Sequence, residues 1–385
     1  MASSEHGVPA SRATYFDAAS AEPMLPAARE VWQRAVDQGY ADPRRLHHAG
    51  RTARLLLDNA REATAEALEV RPDEVTFTGS GTEAVHRGLL GLHRGRSPAR
   101  SGFLVSAVEH SAVFHAARWT GEPVHELPVT STGAVDPASA AEVNDRAGPV
   151  AVVAVQAANH EVGTRQPFPE IYDALDDELP LFLDACASAG REALPDGWSA
   201  AAASAHKWGG PPGVGVLLVR RGTRWRNPFP EDDRVDVRAS GFENVPGVLA
   251  AAAALQEVVA DRAATAARQH ALVARVRERV AATVPDVEVV GDPEHRLPHL
   301  VTFSCLYVDG EALVTELDRL GFGIASGSAC TASTLTPSHV LAAMGALTHG
   351  NVRLSLTRDT TAEQVDAFLA ALPGVVTDLR ARVGL

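Results

Sequence analysis

Cysteine is rare in this 385-residue chain, with three in all, at positions 186, 305 and 330. Three cysteines cannot form a disulfide framework for so long a chain, and their positions lack metal-ligand spacing. No metal site is expected, and each thiol has to be judged by its own surroundings. Lysine is also scarce, the basic residues being nearly all arginine. No apolar run approaches the ~20 residues that span a bilayer, so no membrane association is expected. The start, Met1 to Gly7, has neither a basic nor an apolar stretch, so no signal peptide is read and a cytoplasmic home is expected. With a formal charge of −13, a direct nucleic-acid surface is not expected, because phosphate neutralisation needs clustered Lys and Arg. Small molecules and protein partners are. What remains is a long, 45% apolar chain, enough for a large core and for two domains.

Lys207 lies in Ala203-Ser204-Ala205-His206-Lys207-Trp208-Gly209-Gly210-Pro211-Pro212-Gly213, just ahead of the apolar run Val214 to Val219. A lysine leaving an alanine-rich segment into a tight turn has its amine near backbone and partly shielded from water. Such an amine can form a Schiff base. Upstream, Asp184 ends the apolar run Pro180-Leu181-Phe182-Leu183. A carboxylate ending one buried strand, with a lysine one strand further on, is the pair pyridoxal phosphate chemistry needs. The lysine carries the aldehyde and the carboxylate keeps the pyridine nitrogen protonated.

With Ser204-Ala205-His206-Lys207 and the glycine-rich turn to Gly213-Val214-Gly215, the chain resembles the cysteine desulfurases, in the class V aminotransferase group of fold-type I pyridoxal phosphate enzymes. The resemblance runs from about residue 15 to 372. It implies an α/β fold with a mostly parallel central sheet between helices in a large domain, 15–247. A smaller α+β domain, 248–385, follows, with residues 1–14 packing on it.

Other segments carry the likeness in order. Glu74 to Thr78 reads as a strand running through Gly79-Ser80-Gly81-Thr82-Glu83 into a helix over 84–92. Such a turn leaves backbone N–H groups unpaired at the positive helix end, a seat for phosphate. The resemblance puts Gly81 and Thr82 on the phosphate, with Ser204 and His206. Glu109-His110-Ser111-Ala112-Val113 resembles the motif whose histidine lies over the pyridine ring and also moves protons. Asn159-His160-Glu161-Val162-Gly163 stands where the family has Asn-Asn-Glu-x-Gly, implying a substrate contact for Asn159 and a cofactor contact for His160. Asp184-Ala185-Cys186-Ala187-Ser188 has Ala187 where the family has a glutamine on the cofactor's phenolic oxygen. His160 is therefore expected to take over that contact. Ser326-Gly327-Ser328-Ala329-Cys330 resembles the motif whose cysteine attacks the substrate sulfur and becomes a persulfide, and Arg353 in Asn351-Val352-Arg353-Leu354-Ser355 is expected to clamp the substrate carboxylate.

Departures are concentrated elsewhere. Ala18, Ala21 and Glu22 replace the Asn and two threonines usual in the opening segment. Phe242 replaces a threonine that reaches the partner subunit's phosphate, and Glu231-Asp232-Asp233 replaces glycines. These acids would repel an anionic cofactor unless they point outward. Cys186 and Cys305 sit in apolar strands and are read as small core residues. Pro246 to about Val284 reads as one long alanine-rich helical stretch, and Thr336 as the cap of a helix ending before Gly345.

The function implied is removal of sulfur from L-cysteine, with pyridoxal 5'-phosphate as cofactor and Lys207, His110 and Cys330 as catalytic residues. A homodimer handing sulfur to an acceptor protein or small thiol is implied too. Two alternatives stay open at this point: a selenocysteine lyase or cysteine sulfinate desulfinase, and a degenerate member of the fold that binds a partner with low turnover.

Overall fold

The computed structural model describes residues 13–38, 41–175, 179–234, 236–326 and 337–384. In chain order the strands are β1 (Thr14–Tyr15), β2 (Val75–Thr78), β3 (Phe103–Ser106), β4 (Val124–Leu127), β5 (Val152–Gln156) and β6 (Leu181–Asp184). Then come β7 (Ala200–Ser204), β8 (Gly215–Val219), β9 (Val287–Val290), β10 (Leu300–Cys305), β11 (Phe322–Gly323) and β12 (Asn351–Ser355). Helices α1 (Pro26–Asp37), α2 (His48–Ala67), α3 (Gly81–Gly95), α4 (Ser111–Trp119), α5 (Pro137–Ala147) and α6 (Phe168–Ala174) alternate with the earlier strands. The later ones are α7 (Val245–Ala260), α8 (Arg262–Thr283), α9 (Gly310–Arg319), α10 (His339–Met344) and α11 (Ala362–Arg382).

Strands β2 to β8 make one seven-stranded sheet in the order β2-β8-β7-β6-β5-β3-β4, parallel except for β8, which runs against both its neighbours. The fold is thus the expected α/β class. Parallel strands covered on both faces have to be apolar along their length, and β5, β6, β7 and β8 are buried throughout. Strand β7 shows how the pleat divides its side chains. Ala201 and Ala203 join the core shared with Leu57, Phe168 and Leu255, while Ala200 and Ala202 join the core on the other face with Leu89 and Val113.

A second core lies against the antiparallel sheet β12-β10-β9. Phe16, Phe322 and Phe368 meet there, with the Phe16 and Phe368 rings edge to face at 5.8 Å. Full burial of a side chain of that size contributes about 1.5–3 kcal/mol. Because Phe16 belongs to this core and β1 pairs with β11, the N-terminal segment is tied to the C-terminal layer. Residues 1–12 lie outside the described residues.

Three local expectations change. The stretch 246–284 is two helices meeting at Asp261, a residue with no helical side-chain cap. Helix α7 is apolar on most faces, and its Val248, Ala251, Leu255 and Val258 lie in the core of the large sheet, whereas α8 buries Val273 and Val276 in the second core. The expected boundary at 247/248 would cut α7 from its own core; we propose Asp261 as the boundary instead. Helix α10 is capped by Ser338, whose Oγ accepts the Leu341 N–H at 3.2 Å, and ends in Gly345 at φ 70°; Thr336 lies outside the described residues. No helix among the described residues is long and apolar enough to cross a membrane.

Candidate active site

Asp184 is the last residue of β6 and pairs in register with Ala202 of β7, while Lys207 follows β7 on a single 3-10 turn, Ala205–Lys207. Both therefore leave the same edge of the sheet, the carboxyl ends of parallel strands, where α/β sheets bind ligands. They line one cavity of about 290 Å³. Asp184 is 6% exposed, and its Oδ1 accepts the Cys186 N–H at 2.9 Å. No ion pair ties Asp184 to a cation, and no hydrogen bond or ion pair occupies the Lys207 amine, among the described residues. The lysine's main chain, by contrast, is braced. Arg191 Nη2 donates to the Lys207 carbonyl at 3.2 Å, and the Glu22 N–H donates to the His206 carbonyl at 2.9 Å. Gly209 lets the chain turn at φ +84°, where a Cβ would meet Leu25 Cγ at 2.6 Å.

The same cavity takes in the start of α3. Ser80 caps the helix, its Oγ accepting the Glu83 N–H at 3.0 Å, and Gly81 and Thr82 form the first turn. Gly81 lies so close to Ser204 that a Cβ would sit 2.7 Å from the serine Cβ. Ser204 Oγ is 3.1 Å from His206 Nδ1. A helix N-terminus with a hydroxyl and an imidazole beside it is an anion seat. Burial, and next the Lys207 charge, lower the His206 pKa.

Two more histidines form the opposite wall. His110 caps α4, and its Nδ1 accepts the Ala112 N–H at 3.2 Å, which leaves the proton of the neutral ring on Nε2. Its pKa is lowered, chiefly by burial, against an upward pull from Asp184. His160 meets it edge to face with ring centroids 5.1 Å apart. Burial, then His110 and Lys207, push the His160 pKa well below its ordinary value, and its Nδ1 is buried with no hydrogen-bond partner among the described residues. Ala187 borders the same cavity.

Arg353 enters from β12 of the second sheet and is 4% exposed. Its Nη2 donates to Asp17 Oδ1 at 2.8 Å and to Ser20 Oγ at 2.6 Å, its Nη1 donates to the His160 carbonyl at 3.1 Å, and its Nε is buried and bare. Asn159 is a correction. It is fully buried and does not line the cavity; its Nδ2 donates to the Val108 carbonyl at 3.0 Å and its Oδ1 accepts the Glu161 and Val162 N–H groups at 2.8 Å. Buried away from the cavity, with its oxygen and one N–H bonded to backbone, it holds the turn that presents His160 rather than facing a substrate.

Cys186 is a second correction. Strand β6 ends two residues before it, and it lines the cavity beside Asp184 and Gly81. Burial, and then the Asp184 charge, push its thiol well above the ordinary range, so it stays protonated. Cys305 does sit in the core, in β10, pushed up to about 11 by burial. Cys330 lies outside the described residues. On its upstream side, Ala325 exchanges backbone hydrogen bonds with Arg353, and downstream His339 Nε2 is 2.8 Å from the Glu109 carbonyl. The acids Glu231, Asp232 and Asp233 are exposed and away from the cavity, and Phe242 is 57% exposed under the Arg234 guanidinium.

Glu109, Asp17 and Ser20 stand in segments that resemble the family, but the sequence assigns none of them a role of its own. Glu109 is wholly buried, its Oε1 accepting the Gln156 N–H at 2.7 Å; burial, then the nearby Asp184, push its carboxyl well up. Only its place beside His110 could draw attention to it.

Known proteins give this arrangement a family. The class-V aminotransferase model matches residues 14–368. An IscS-like cysteine desulfurase of Mycobacterium tuberculosis is 37% identical over 95% of this chain and 97% of its own length. Cysteine desulfurase IscS of Dictyoglomus turgidum is 30% identical, covering 96% of each chain. A solved NifS-like protein superposes with a TM-score of 0.87 at 26% identity, over 95% of this chain and all of the other. The protein belongs to the class-V aminotransferase family, in its cysteine desulfurase branch.

Proposed function

We propose that the protein is a pyridoxal phosphate-dependent cysteine desulfurase that converts L-cysteine to L-alanine and collects the sulfur as a persulfide on Cys330. The observation that carries this reading is the convergence of Lys207, Asp184, the α3 N-terminus and Arg353 on one cavity. The residues fit the cofactor. The Gly81 position has no room for a side chain, leaving its backbone to approach a phosphate; the Lys207 amine is unpaired among the described residues; and the Asp184 carboxylate awaits a cationic partner.

When bound, the cofactor supplies an electron-withdrawing ring conjugated to the substrate's α-carbon. Asp184 would hold the ring nitrogen's proton, and Ser204, His206 and the first turn of α3 would hold the phosphate. His110, on the cavity wall, would offer its Nε2–H to the bound group. Arg353 orients the substrate by its carboxylate, with the charge-assisted donors that suit a planar anion. Lys207, whose amine faces the same cavity, would move a proton at the substrate's α-carbon. The Cys330 thiolate then takes the substrate sulfur. The carbon–sulfur bond breaks with its electron pair left on carbon, which is protonated to give alanine, and a sulfur–sulfur bond forms at Cys330. The persulfide passes to an acceptor protein or thiol.

The need for reduced thiols supports a cytoplasmic home. A homodimer belongs to the same reading, as the likeness to the family implies. The test is to supply the purified, cofactor-loaded protein with L-cysteine and a thiol reductant and to measure alanine and sulfide. Equal yields are expected. The Cys330→Ala variant is expected to keep the cofactor's colour and lose sulfide release; wild-type sulfide release by that variant would exclude this mechanism.

A further inference from the structure

Arg353 is already engaged by an anion. Its Nη2 is bound by Asp17 Oδ1 at 2.8 Å, and Asp17 is its only ion-pair partner among the described residues. Ser20 stands between them, accepting from Arg353 at 2.6 Å and donating to Asp17 Oδ1 at 2.9 Å. Ser20 lines the cavity and Asp17 does not. The loop beneath them is fixed: Tyr15 donates its hydroxyl to the Asp17 and Ala21 carbonyls, the Ala19 N–H donates to Ser355 Oγ, and Asp17 bridges to Ser355 of β12. The Asp17 side chain is 23% exposed against 5% for Arg353, so the carboxylate can swing toward solvent while the backbone stays in place. The buried Arg353 Nε–H has no acceptor among the described residues. A bare buried donor beside an exchangeable ion pair is open to an acceptor that the free protein does not supply.

From this geometry we propose that Asp17 is a resident stand-in for the substrate carboxylate. It neutralises and aims Arg353 while the cavity is free of substrate and yields its share of the guanidinium when a carboxylate ligand arrives. Ser20 is the hydroxyl that turns its proton from Asp17 to the incoming carboxylate. An uncompensated buried arginine would be costly to fold around, and a permanent ion pair would weaken the clamp. An exchangeable partner avoids both, and sets the enzyme's affinity for amino acids below what Arg353 alone would give. Both residues act through or beside Arg353 and are positioning residues.

The inference rests on Arg353 being the carboxylate clamp, so the test carries a control for that. Asp17→Asn keeps the shape and an acceptor oxygen but removes the charge. KM for L-cysteine is expected to fall roughly fivefold, with kcat moving far less. The Kd for L-alanine, read without turnover from the bound cofactor's absorbance, is expected to fall in parallel. Ser20→Ala, a small change that keeps the fold if Asp17→Asn does not, is expected to raise both constants roughly threefold or more. Arg353→Lys is expected to raise them by an order of magnitude or more. If Arg353→Lys weakens binding while Asp17→Asn leaves both constants equal or higher and Ser20→Ala leaves them unchanged, the exchange is overturned and the clamp stands. If Arg353→Lys binds both amino acids like the wild type, the clamp fails and the exchange with it.

Discussion

The cavity has two poles built in different ways. At one, Asp184 and Lys207 stand at the ends of adjacent strands whose every residue is buried, and neither carries an internal ion pair among the described residues. At the other, Arg353 reaches over from the second sheet into a web of loop groups, Asp17, Ser20 and the His160 carbonyl. The strand-borne pole is preorganised by packing, and its chemical groups are left free for a cofactor. The loop-borne pole is preorganised by polar partners, which have to be exchanged when substrate binds. The first arrangement suits a group that stays, the second a ligand that comes and goes.

Damage to the first pole should have the largest effect. Asp184→Asn removes the charge that holds the ring nitrogen's proton, and kcat/KM for L-cysteine is expected to drop about a thousandfold, with the fold intact by circular dichroism. Next comes the tie between the poles. Glu22 Oε2 accepts from Arg191 Nη2 at 2.7 Å and Oε1 accepts the Arg358 N–H at 3.0 Å, with side chains only 2% and 7% exposed for Glu22 and Arg191. This one carboxylate joins the turn after Asp184, the brace on Lys207 and the strand end beyond Arg353. Glu22→Ala leaves Arg191 buried and unpaired, and should cost about 3–5 kcal/mol of unfolding free energy in a urea titration. A loss within experimental error would mean that the two poles stand independently.

Much of this contrast is legible in the sequence, and unevenly so. The strand-borne pole announces itself because a buried parallel strand must be apolar along its length, so Leu181-Phe182-Leu183-Asp184 and the run of alanines before Ser204 mark both strand and site at once. The helix start at Gly81 is similarly local. Asp17, Ser20 and Glu109 act through contacts with residues far along the chain, 336 positions in the case of Asp17 and Arg353, and no spacing rule brings those together. Asn159 misleads for the same reason, since only its neighbours show that its amide is bonded to backbone. Cys186 looks like core because apolar residues precede it. The strand ends two residues too early for that, a boundary that periodicity does not fix. The two-helix break at Asp261 is hidden because alanine-rich sequence on both sides favours helix throughout.

Smaller effects come from the histidines beside the second pole. His299 is 1% exposed, and burial, then Arg191 and Arg353, hold its pKa well below the ordinary 6.5. The sign follows from proton uptake: above pH 6.5 neither folded nor unfolded chain protonates it, and below that the unfolded chain binds a proton the folded one refuses. Stability is therefore expected to fall as the pH drops below about 6.5, with this residue contributing a slope of about 1.4 kcal/mol per pH unit. His299→Asn should flatten the curve by that amount in denaturant titrations between pH 6.5 and 5; an unchanged slope would remove His299 from the account. His160 is the subtlest. If it supplies the donor that Ala187 lacks, His160→Ala should raise the pH midpoint of the bound cofactor's absorbance by about half a unit, and adding Ala187→Gln should bring it back. A midpoint unmoved in His160→Ala would contradict that role.

The central claim is that Lys207 carries the cofactor, and the chain offers an unusually clean test, since position 207 is its only lysine. Borohydride reduction of the pyridoxal phosphate-loaded protein, followed by peptide mass spectrometry, should place a single reduced adduct on Lys207 and none in Lys207→Ala. An adduct at the N-terminal amine alone, or no adduct in a protein that still turns over L-cysteine, would contradict the account.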